Sequence, residues 1–305
     1  MTTPRKRFPW HVVVFLAPAM AIYTLFMIYP LADSVRLSFF TGDARGGETF
    51  AGLQNYIRLL TDDNWAPRFS NALKNNLIFF VVHMVVQNSV GLLLAVLLSS
   101  GGRSRAVYRA LIFTPTLLSV VIIGFVWQLI LNPLWGIARA ALVTVGQPQL
   151  FQPWLGLSGT ALVTIALISV WQFVGIPMML FYAALIGIPA ELSEAARVDG
   201  ASAWTIFWRI KGPLILPAVG IVGLLTFVGN FNAFDLIYTM KGALAGPDFA
   251  TDIMGTLFYR TFFGFQLQLG NPTMGATVST MMFGIILAGA ILYSFWQRRV
   301  TTYEL

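Results

Sequence analysis

Six long apolar runs dominate the pattern of hydrophobic and polar positions along the chain. Each run has about 20 residues or more, which is enough for a helix to cross roughly 30 Å of hydrocarbon. The pattern therefore predicts an all-α integral membrane protein with six transmembrane helices, kinked or ended at Pro30, Pro115, Pro177 and Pro217. The predicted spans cover residues 12–32, 77–99, 110–131, 161–184, 214–235 and 277–296.

The longest polar stretch, residues 33–76, separates the first two runs. Within it, a helical spacing places Leu53, Tyr56 and Leu60 on one face. We expect a surface helix that lies near the membrane. No internal repeat or low-complexity linker divides the sequence, so residues 1–305 are expected to form one transmembrane domain.

A second polar segment, residues 189–213, separates the fourth and fifth runs. A proline at its start suits a first helical position, and Gly200 suits the left-handed residue that ends a helix. Ser202 can cap a second helix, which Gly212 and Pro213 are expected to stop. The segment therefore predicts a compact helical hairpin that carries its own charges.

Composition places the chain in a bilayer rather than in water. Hydrophobic residues make up 57% of the sequence and charged residues 10%, whereas soluble domains have roughly a quarter charged. The absence of cysteine excludes disulfides, thiol catalysis and thiolate metal sites. The first run follows Arg5, Lys6 and Arg7, so a cleavable signal peptide is one interpretation. Because the run continues through Ile28, its length favours a retained signal-anchor helix.

Basic residues are concentrated in alternate flanks of the predicted spans. With a cytoplasmic N-terminus, the inside flanks hold 11 of the 19 basic residues and 4 of the 12 acidic ones, so the whole net charge of +7 lies inside. Because cytoplasmic loops retain Lys and Arg, both termini and the hairpin are predicted to be cytoplasmic. Basicity beside membrane spans indicates membrane lipid as a partner, and no nucleic-acid recognition motif is present.

A spaced motif in the hairpin resembles the EAA motif of ABC-importer permeases. It reads E-A-A, three residues, G, nine residues, I, one residue and Gly-Pro, with Gly212 where that family has leucine. The order of segments over almost the entire chain resembles the carbohydrate branch of the family, the MalF-like and UgpA-like permeases. The residues to which the resemblance assigns coupling with an ATPase are Glu194, Ala195, Ala196, Asp199 and Gly200.

The resemblance implies a type I importer permease fold in a bacterial inner membrane, with the hairpin as a mechanical coupler. The hairpin would dock on a separate ATPase dimer that holds ATP and Mg²⁺, since this sequence has no G-x-x-x-x-G-K-[ST] loop. No cofactor or metal is expected in this chain. A homologous second permease and an extracytoplasmic binding protein are implied as partners, with a sugar, oligosaccharide or related glycoside as the substrate.

Polar side chains at membrane depth are costly, so those in and after the fifth run are candidates for a substrate path. Amide groups can replace water around sugar hydroxyls, and a phenylalanine ring can stack on a sugar ring. Hydrogen bonding between helices, with Asp235 at the outer water interface, is the alternative interpretation. The candidate path residues are Asn230, Phe231, Asn232, Phe234, Asp235, Gln128 and Gln172.

Two other classes of function stay open. An ion- or proton-coupled secondary transporter would use polar groups inside the membrane, and His83, Gln87 and Asn88 form a polar stripe in the second run. Hydrogen bonding between helices also explains that stripe, and the few intramembrane charges and lack of an inverted repeat argue against such a transporter. A membrane enzyme is the third class, and the sequence shows no metal-ligand or catalytic constellation for it.

Overall fold

The computed structural model describes residues 10–42, 47–100, 104–266 and 268–297. Several basic residues on which the orientation prediction depends, such as Arg5, Arg103 and Arg298, lie outside the described residues. The described part has four helices long and apolar enough to cross a membrane, or up to six if each of two bent pairs forms one span. We number these spans 1 to 6, and the six-span count itself stays a prediction.

Span 1, Val12–Leu37, lies at the edge of the fold. Its helix consists of Trp10–Tyr23 and Tyr29–Leu37, with the π-helical turn Thr24–Ile28 between them. None of its most apolar window is buried, as expected for a helix that lipid surrounds. Its C-terminal part packs against span 6.

Two short antiparallel β-strands follow span 1 and add a small sheet to the helical fold. Its strands are Phe40–Thr41 and Thr49–Phe50. The surface helix predicted after it is present at Gln54–Thr61. Leu60, which the helical spacing places on one face with Leu53 and Tyr56, is exposed, whereas Leu59 is fully buried. The helix therefore packs on the core through the side that carries Asn55 and Leu59.

Span 2, Ala66–Ser99, and span 4 form the most extensive helix pair among the described residues. Span 4 consists of Ala161–Phe173 and Gly175–Ile186, which meet at a bend of 45°. The close approach depends on Gly91, since a Cβ there would lie 3.1 Å from the side chain of Pro177. Spans 2 and 4 therefore pack so closely that an added methyl group would displace its neighbours by a few tenths of an ångström.

Span 3 is broken rather than straight. Its parts are Arg105–Leu117 and Val120–Ile130, which meet at 94°. The last turn of the first part, Thr114–Leu117, is 3₁₀ and contains Pro115. A break at this proline agrees with the sequence, because proline removes a helical hydrogen bond and clashes with the preceding turn. The predicted continuous run over 110–131 therefore bends sharply within its length.

Span 5 includes Gly212–Phe231 and resumes after a three-residue break at Asp235–Lys241, and span 6 is Pro272–Gln297. Residues 242–271 connect spans 5 and 6, and we call them the outer segment because the predicted orientation places them on the extracytoplasmic side. The remaining described helices are Ile137–Thr144, the 3₁₀ turn Pro148–Leu150, Ala190–Val198, Ala203–Ile206 and Met254–Phe263.

Spans 5 and 6 interlock through reciprocal contacts between aromatic rings and glycines. The Trp296 ring of span 6 occupies the place where a Cβ on Gly220 would project, and the Phe227 ring of span 5 occupies that of Gly289. Small residues of this kind let helices approach closely in a membrane, where packing rather than the hydrophobic effect drives their association. The two spans therefore have a fixed register.

Candidate functional site

The first helix of the hairpin, Ala190–Val198, ends at Gly200 as the sequence predicts. Gly200 has φ +82°, in the left-handed region that favours glycine. Its amide donates to the Arg197 carbonyl at 3.0 Å, and the Ala201 amide donates to the Ala196 carbonyl at 2.9 Å. These two bonds satisfy carbonyls that a helix end otherwise leaves unpaired. Local chemistry therefore fixes the turn of the hairpin.

The second helix of the hairpin begins as predicted, but it does not end where predicted. The Ser202 Oγ accepts a hydrogen bond from a backbone amide at 3.2 Å and caps the helix. The expected stop at Gly212 and Pro213 is wrong, because Ala203–Ile206 continues through the π-helical turn Phe207–Lys211 into span 5. The Gly212 amide donates to the carbonyl five residues back, and Pro213 needs no acceptor. The second helix of the hairpin and span 5 thus form one continuous helix.

The hairpin presents charged and apolar side chains at the surface. Glu194 and Asp199 are exposed and make no hydrogen bond or ion pair with any described residue. Beside them, Val198 is 88% exposed and Trp204 is 72% exposed. Apolar surface next to free carboxylates is typical of a docking surface. Of the predicted coupling residues, Glu194, Ala195, Asp199 and Gly200 are exposed and Ala196 is partly exposed.

A cavity of about 460 Å³ lies among spans 2, 4 and 5, next to the break in span 5. Its volume falls within the roughly 300–1,000 Å³ of small-molecule sites in proteins. Most of its wall is apolar, and polar groups reach it from all three spans. The polar residues that line the cavity are His83, Gln87, Ser169, Thr226, Asn230, Asn232 and Asp235.

Two residues on the cavity wall each carry a buried amide oxygen without a protein partner. Gln87 Oε1 and Asn230 Oδ1 accept no hydrogen bond from any described residue, although the two side chains are only 7% and 5% exposed. The Asn230 amide is oriented by its Nδ2, which donates to the Thr226 carbonyl at 2.7 Å. A buried acceptor without a partner is costly unless a ligand or water donates to it. Both oxygens therefore fit hydroxyl donors.

The break in span 5 brings one aromatic and two polar residues to the cavity wall. Asn232 and Asp235 are exposed and line the cavity together with Phe234. Asn232 Nδ2 donates to the Val228 carbonyl at 3.0 Å, and the Asp235 carboxylate has no partner among the described residues. Their oxygens are therefore open to hydrogen-bond donors that enter the cavity.

Three predicted path residues lie away from this cavity. Phe231 is 1% exposed and packs on a neighbouring phenylalanine ring at 4.7 Å. Gln172 Nε2 donates to the Leu118 carbonyl at 3.1 Å, and Gln128 Nε2 donates to the Thr239 carbonyl at 2.7 Å. The two glutamine amides thus link helices, in agreement with the alternative interpretation of these polar groups.

The sequence did not place His83 and Gln87 on the path, yet both line the cavity. His83 Nε2 lies 2.9 Å from Ser169 Oγ and links span 2 to span 4, which confirms the expected bond between helices. Asn88, the third residue of the stripe, accepts from span 5 at 3.2 Å. The π-helical turn His83–Gln87 brings both residues to the wall. The sequence feature that could have identified them is the recurrence of polar residues at helical spacing within an apolar span.

A helical membrane bundle with a polar cavity at a helix break and an exposed hairpin is the architecture expected of a membrane transport component. The chain belongs to the family of binding-protein-dependent transport system inner membrane components, whose profile matches residues 87–302. It is 33% identical to the probable ABC transporter permease protein YurN of Bacillus subtilis (strain 168), over 91% of this chain and 92% of YurN. It is 31% identical to the lactose transport system permease protein LacF of Rhizobium radiobacter, over 93% of this chain and 91% of LacF.

Solved structures share the fold. A chain of a bacterial ABC transporter involved in the import of the acidic polysaccharide alginate superposes with a TM-score of 0.80 at 19% identity, over 96% of both chains. A chain of the inward-facing methionine ABC transporter MetNI superposes with a TM-score of 0.52, over 79% of this chain and all of the other. The predicted importer-permease fold is confirmed, and the chain is a multi-pass inner-membrane permease component.

Proposed function

We propose that the chain is a permease subunit of an ATP-driven ABC importer that moves a sugar, oligosaccharide or related glycoside. The observation that carries the proposal is that Gln87 and Asn230, whose amide oxygens have no partner among the described residues, line the same cavity as Phe234. Sugar hydroxyls donate to such oxygens, and the apolar face of a sugar ring fits an aromatic ring. The similarity to a relative named for lactose transport supports the same class of substrate.

The proposed substrate contacts are the predicted path residues on the cavity wall, together with Gln87. Asn230, Asn232 and Asp235 would hydrogen bond hydroxyl groups, and Phe234 would contact a ring face. Gln128 and Gln172 link neighbouring segments in this conformation, and Phe231 is buried against a ring of its own helix. These three residues would reach the path only in another state of the transport cycle.

The hairpin would couple this path to a separate ATPase dimer that binds ATP and Mg²⁺. Glu194 would pair with a basic residue of the ATPase, Ala195 and Ala196 would permit close approach, and Asp199 and Gly200 form the turn. Because the second hairpin helix continues into span 5, a displacement of the hairpin would move the cavity wall as a rigid body. Closure of the ATPase dimer would therefore open the path without a flexible linker between the hairpin and span 5.

The proposed assembly also contains a homologous second permease and an extracytoplasmic binding protein, with both termini and the hairpin on the cytoplasmic side. The absence of cysteine makes this orientation testable with a single introduced thiol. Val198→Cys, at a side chain 88% exposed, should react with a membrane-impermeant maleimide only from the cytoplasmic side of vesicles. Reaction from the outer side would overturn the orientation.

Uptake by the reconstituted assembly tests the transport proposal. Proteoliposomes with the permeases, the ATPase and the binding protein would be given radiolabelled glucose, lactose, maltose, sucrose and trehalose. We expect accumulation of unaltered saccharide that requires lumenal ATP. Uptake that survives ATP removal but collapses with the ion gradient would favour a secondary transporter, and a chemically altered product would indicate a membrane enzyme.

A further inference from the structure

Four aromatic side chains form a continuous series that begins on the cavity wall, and we call this series the aromatic ladder. The Phe234 ring, on the wall, lies 4.9 Å from the Tyr238 ring and 5.3 Å from the Tyr259 ring. The Tyr259 ring lies 5.0 Å from Tyr238 and 5.2 Å from Phe263. Phe263 is 64% exposed, so the ladder joins the cavity to the molecular surface.

The ladder has two pairs of rings, each four residues apart: Phe234 in the break of span 5 with Tyr238 in the helix Asp235–Lys241, and Tyr259 with Phe263 in the helix Met254–Phe263. Spacing of four places side chains on one face of a helix, where they meet the rings of the other element. Tyr259 is the junction, because it contacts rings on both sides. Tyr238 and Tyr259 remain partly exposed, whereas aromatic residues that serve only to fill a core are buried.

The outer segment holds the second of these helices, Met254–Phe263, in a fixed orientation. Arg260, next to Tyr259 in sequence, pairs with the buried Asp252 through two bonds of 2.6 and 3.1 Å. At the start of the helix, the Met254 amide donates to Asn76 Oδ1 of span 2 at 2.7 Å. Anchors at both ends of the helix keep the exposed rings in place before any ligand arrives, which lowers the entropy lost on binding.

We infer that the aromatic ladder is a second saccharide subsite, over which sugar rings pass between the binding protein and the cavity. The inference rests on the proposed function and extends its path to Tyr238, Tyr259 and Phe263. Adjacent rings offer equivalent apolar surfaces at short intervals, so a sugar can move from one to the next without losing all contact. At the inner end, Asn232 and Asp235 supply oxygens for its hydroxyl groups.

Substitution of the junction tests the ladder in the complete importer. Tyr259→Leu interrupts the series, and Tyr259→Phe keeps the ring without its hydroxyl. Phe258→Leu is the matched control, since Phe258 lies on the same helix and its ring contacts Phe262, at 5.6 Å, rather than a ring of the ladder. Phe262 in turn lies 4.9 Å from Phe263, so one ring separates Phe258 from the outer end of the ladder. We expect Tyr259→Leu to lower saccharide uptake per ATP hydrolysed roughly 3- to 10-fold. This is the range expected when one aromatic ring no longer contacts the sugar. Phe258→Leu should stay within about 2-fold of the unaltered chain, and Tyr259→Phe, which keeps the ring, should restore most of the uptake that Tyr259→Leu loses.

An equal loss of uptake in Tyr259→Leu and Phe258→Leu, or no loss of uptake in either, would overturn the inference that the ladder is a saccharide subsite. The same holds if Tyr259→Phe loses as much uptake as Tyr259→Leu. Absence of ATP-dependent uptake of the saccharide panel by the unaltered assembly is a different result, since it would refute the proposed function as a whole.

Thiol accessibility gives a readout that does not depend on uptake. Because the chain has no cysteine, Tyr259→Cys introduces one unique thiol into it. We expect a water-soluble maleimide to label this thiol in the assembled importer from the outer side and to block uptake. A thiol that reacts in the isolated chain but not in the complete importer would show that the second permease covers the ladder, which would overturn the inference.

Discussion

The buried ion pair of the outer segment supports a quantitative prediction about stability. Arg260 and Asp252 have side chains only 5% and 1% exposed, and their closest atoms, Arg260 Nη2 and Asp252 Oδ2, lie 2.6 Å apart. Arg260 Nη1 also donates to the Ala243 carbonyl at 2.8 Å. We consider Arg260→Met, which keeps an unbranched apolar side chain but removes the charge and these hydrogen bonds.

The variant leaves Asp252 charged and buried with little compensation. Of its side-chain bonds, the bond from the Thr256 hydroxyl at 2.7 Å remains. Loss of one partner of a buried pair costs about 3–5 kcal/mol, because the other charge stays without water and without a counter-ion. The double variant Asp252→Asn with Arg260→Met buries no charge, so we expect its free energy of unfolding within about 2 kcal/mol of the unaltered chain.

Unfolding of the purified chain by SDS in mixed micelles would measure these free energies. Arg36→Met is the matched control, since Arg36 pairs with Asp33 at 2.8 Å but the two side chains are 49% and 43% exposed. This control should lose at most about 1 kcal/mol. The reasoning fails if Arg260→Met loses no more than the control, or if the double variant is no more stable than the single one.

Two further predictions concern the contacts between spans. Gly220→Ala should destabilise the chain by about 1–3 kcal/mol in the same unfolding assay, because its Cβ would overlap the Trp296 ring, whereas Gly229→Ala, with open space around its Cβ, should not. A stable Gly220→Ala chain would contradict the fixed register of spans 5 and 6. Ser169→Ala removes the bond to His83 and should cost about 0.5–1 kcal/mol without making uptake sensitive to a protonophore. Protonophore-sensitive uptake in the unaltered assembly would instead support a proton relay.

The hairpin shows which features of this fold the sequence could predict. Gly200 and Ser202 were identified correctly because a left-handed φ and a helix cap are set by the residue itself and its close neighbours. The stop at Gly212 was wrong because a π-helical turn, which follows no simple residue pattern, carries the helix past Pro213 into span 5. Local signals therefore located the hairpin but missed its connection to the membrane helices.

The cavity shows where sequence reasoning ends. Polar residues in apolar spans were recognised, but a sequence does not show which way each side chain faces. Gln128 donates to a carbonyl in a neighbouring helix, whereas Gln87, equally polar, lines the cavity. The 94° bend of span 3 and the rotation of each helix depend on packing between distant segments. The ladder likewise joins Tyr238 and Tyr259, which are separated by 21 residues.

Coupling between the hairpin and the ATPase is the central claim, and charge removal at Glu194 tests it most directly. Glu191 is the matched control, an exposed carboxylate three residues earlier in the same helix. In proteoliposomes with loaded binding protein, Glu194→Gln should lower stimulated ATP hydrolysis and saccharide uptake together by about 10-fold or more, as expected for a lost charged hydrogen bond. Glu191→Gln should stay within about 2-fold of the unaltered assembly. Full ATP hydrolysis and uptake in Glu194→Gln, or equal losses in both variants, would contradict the account.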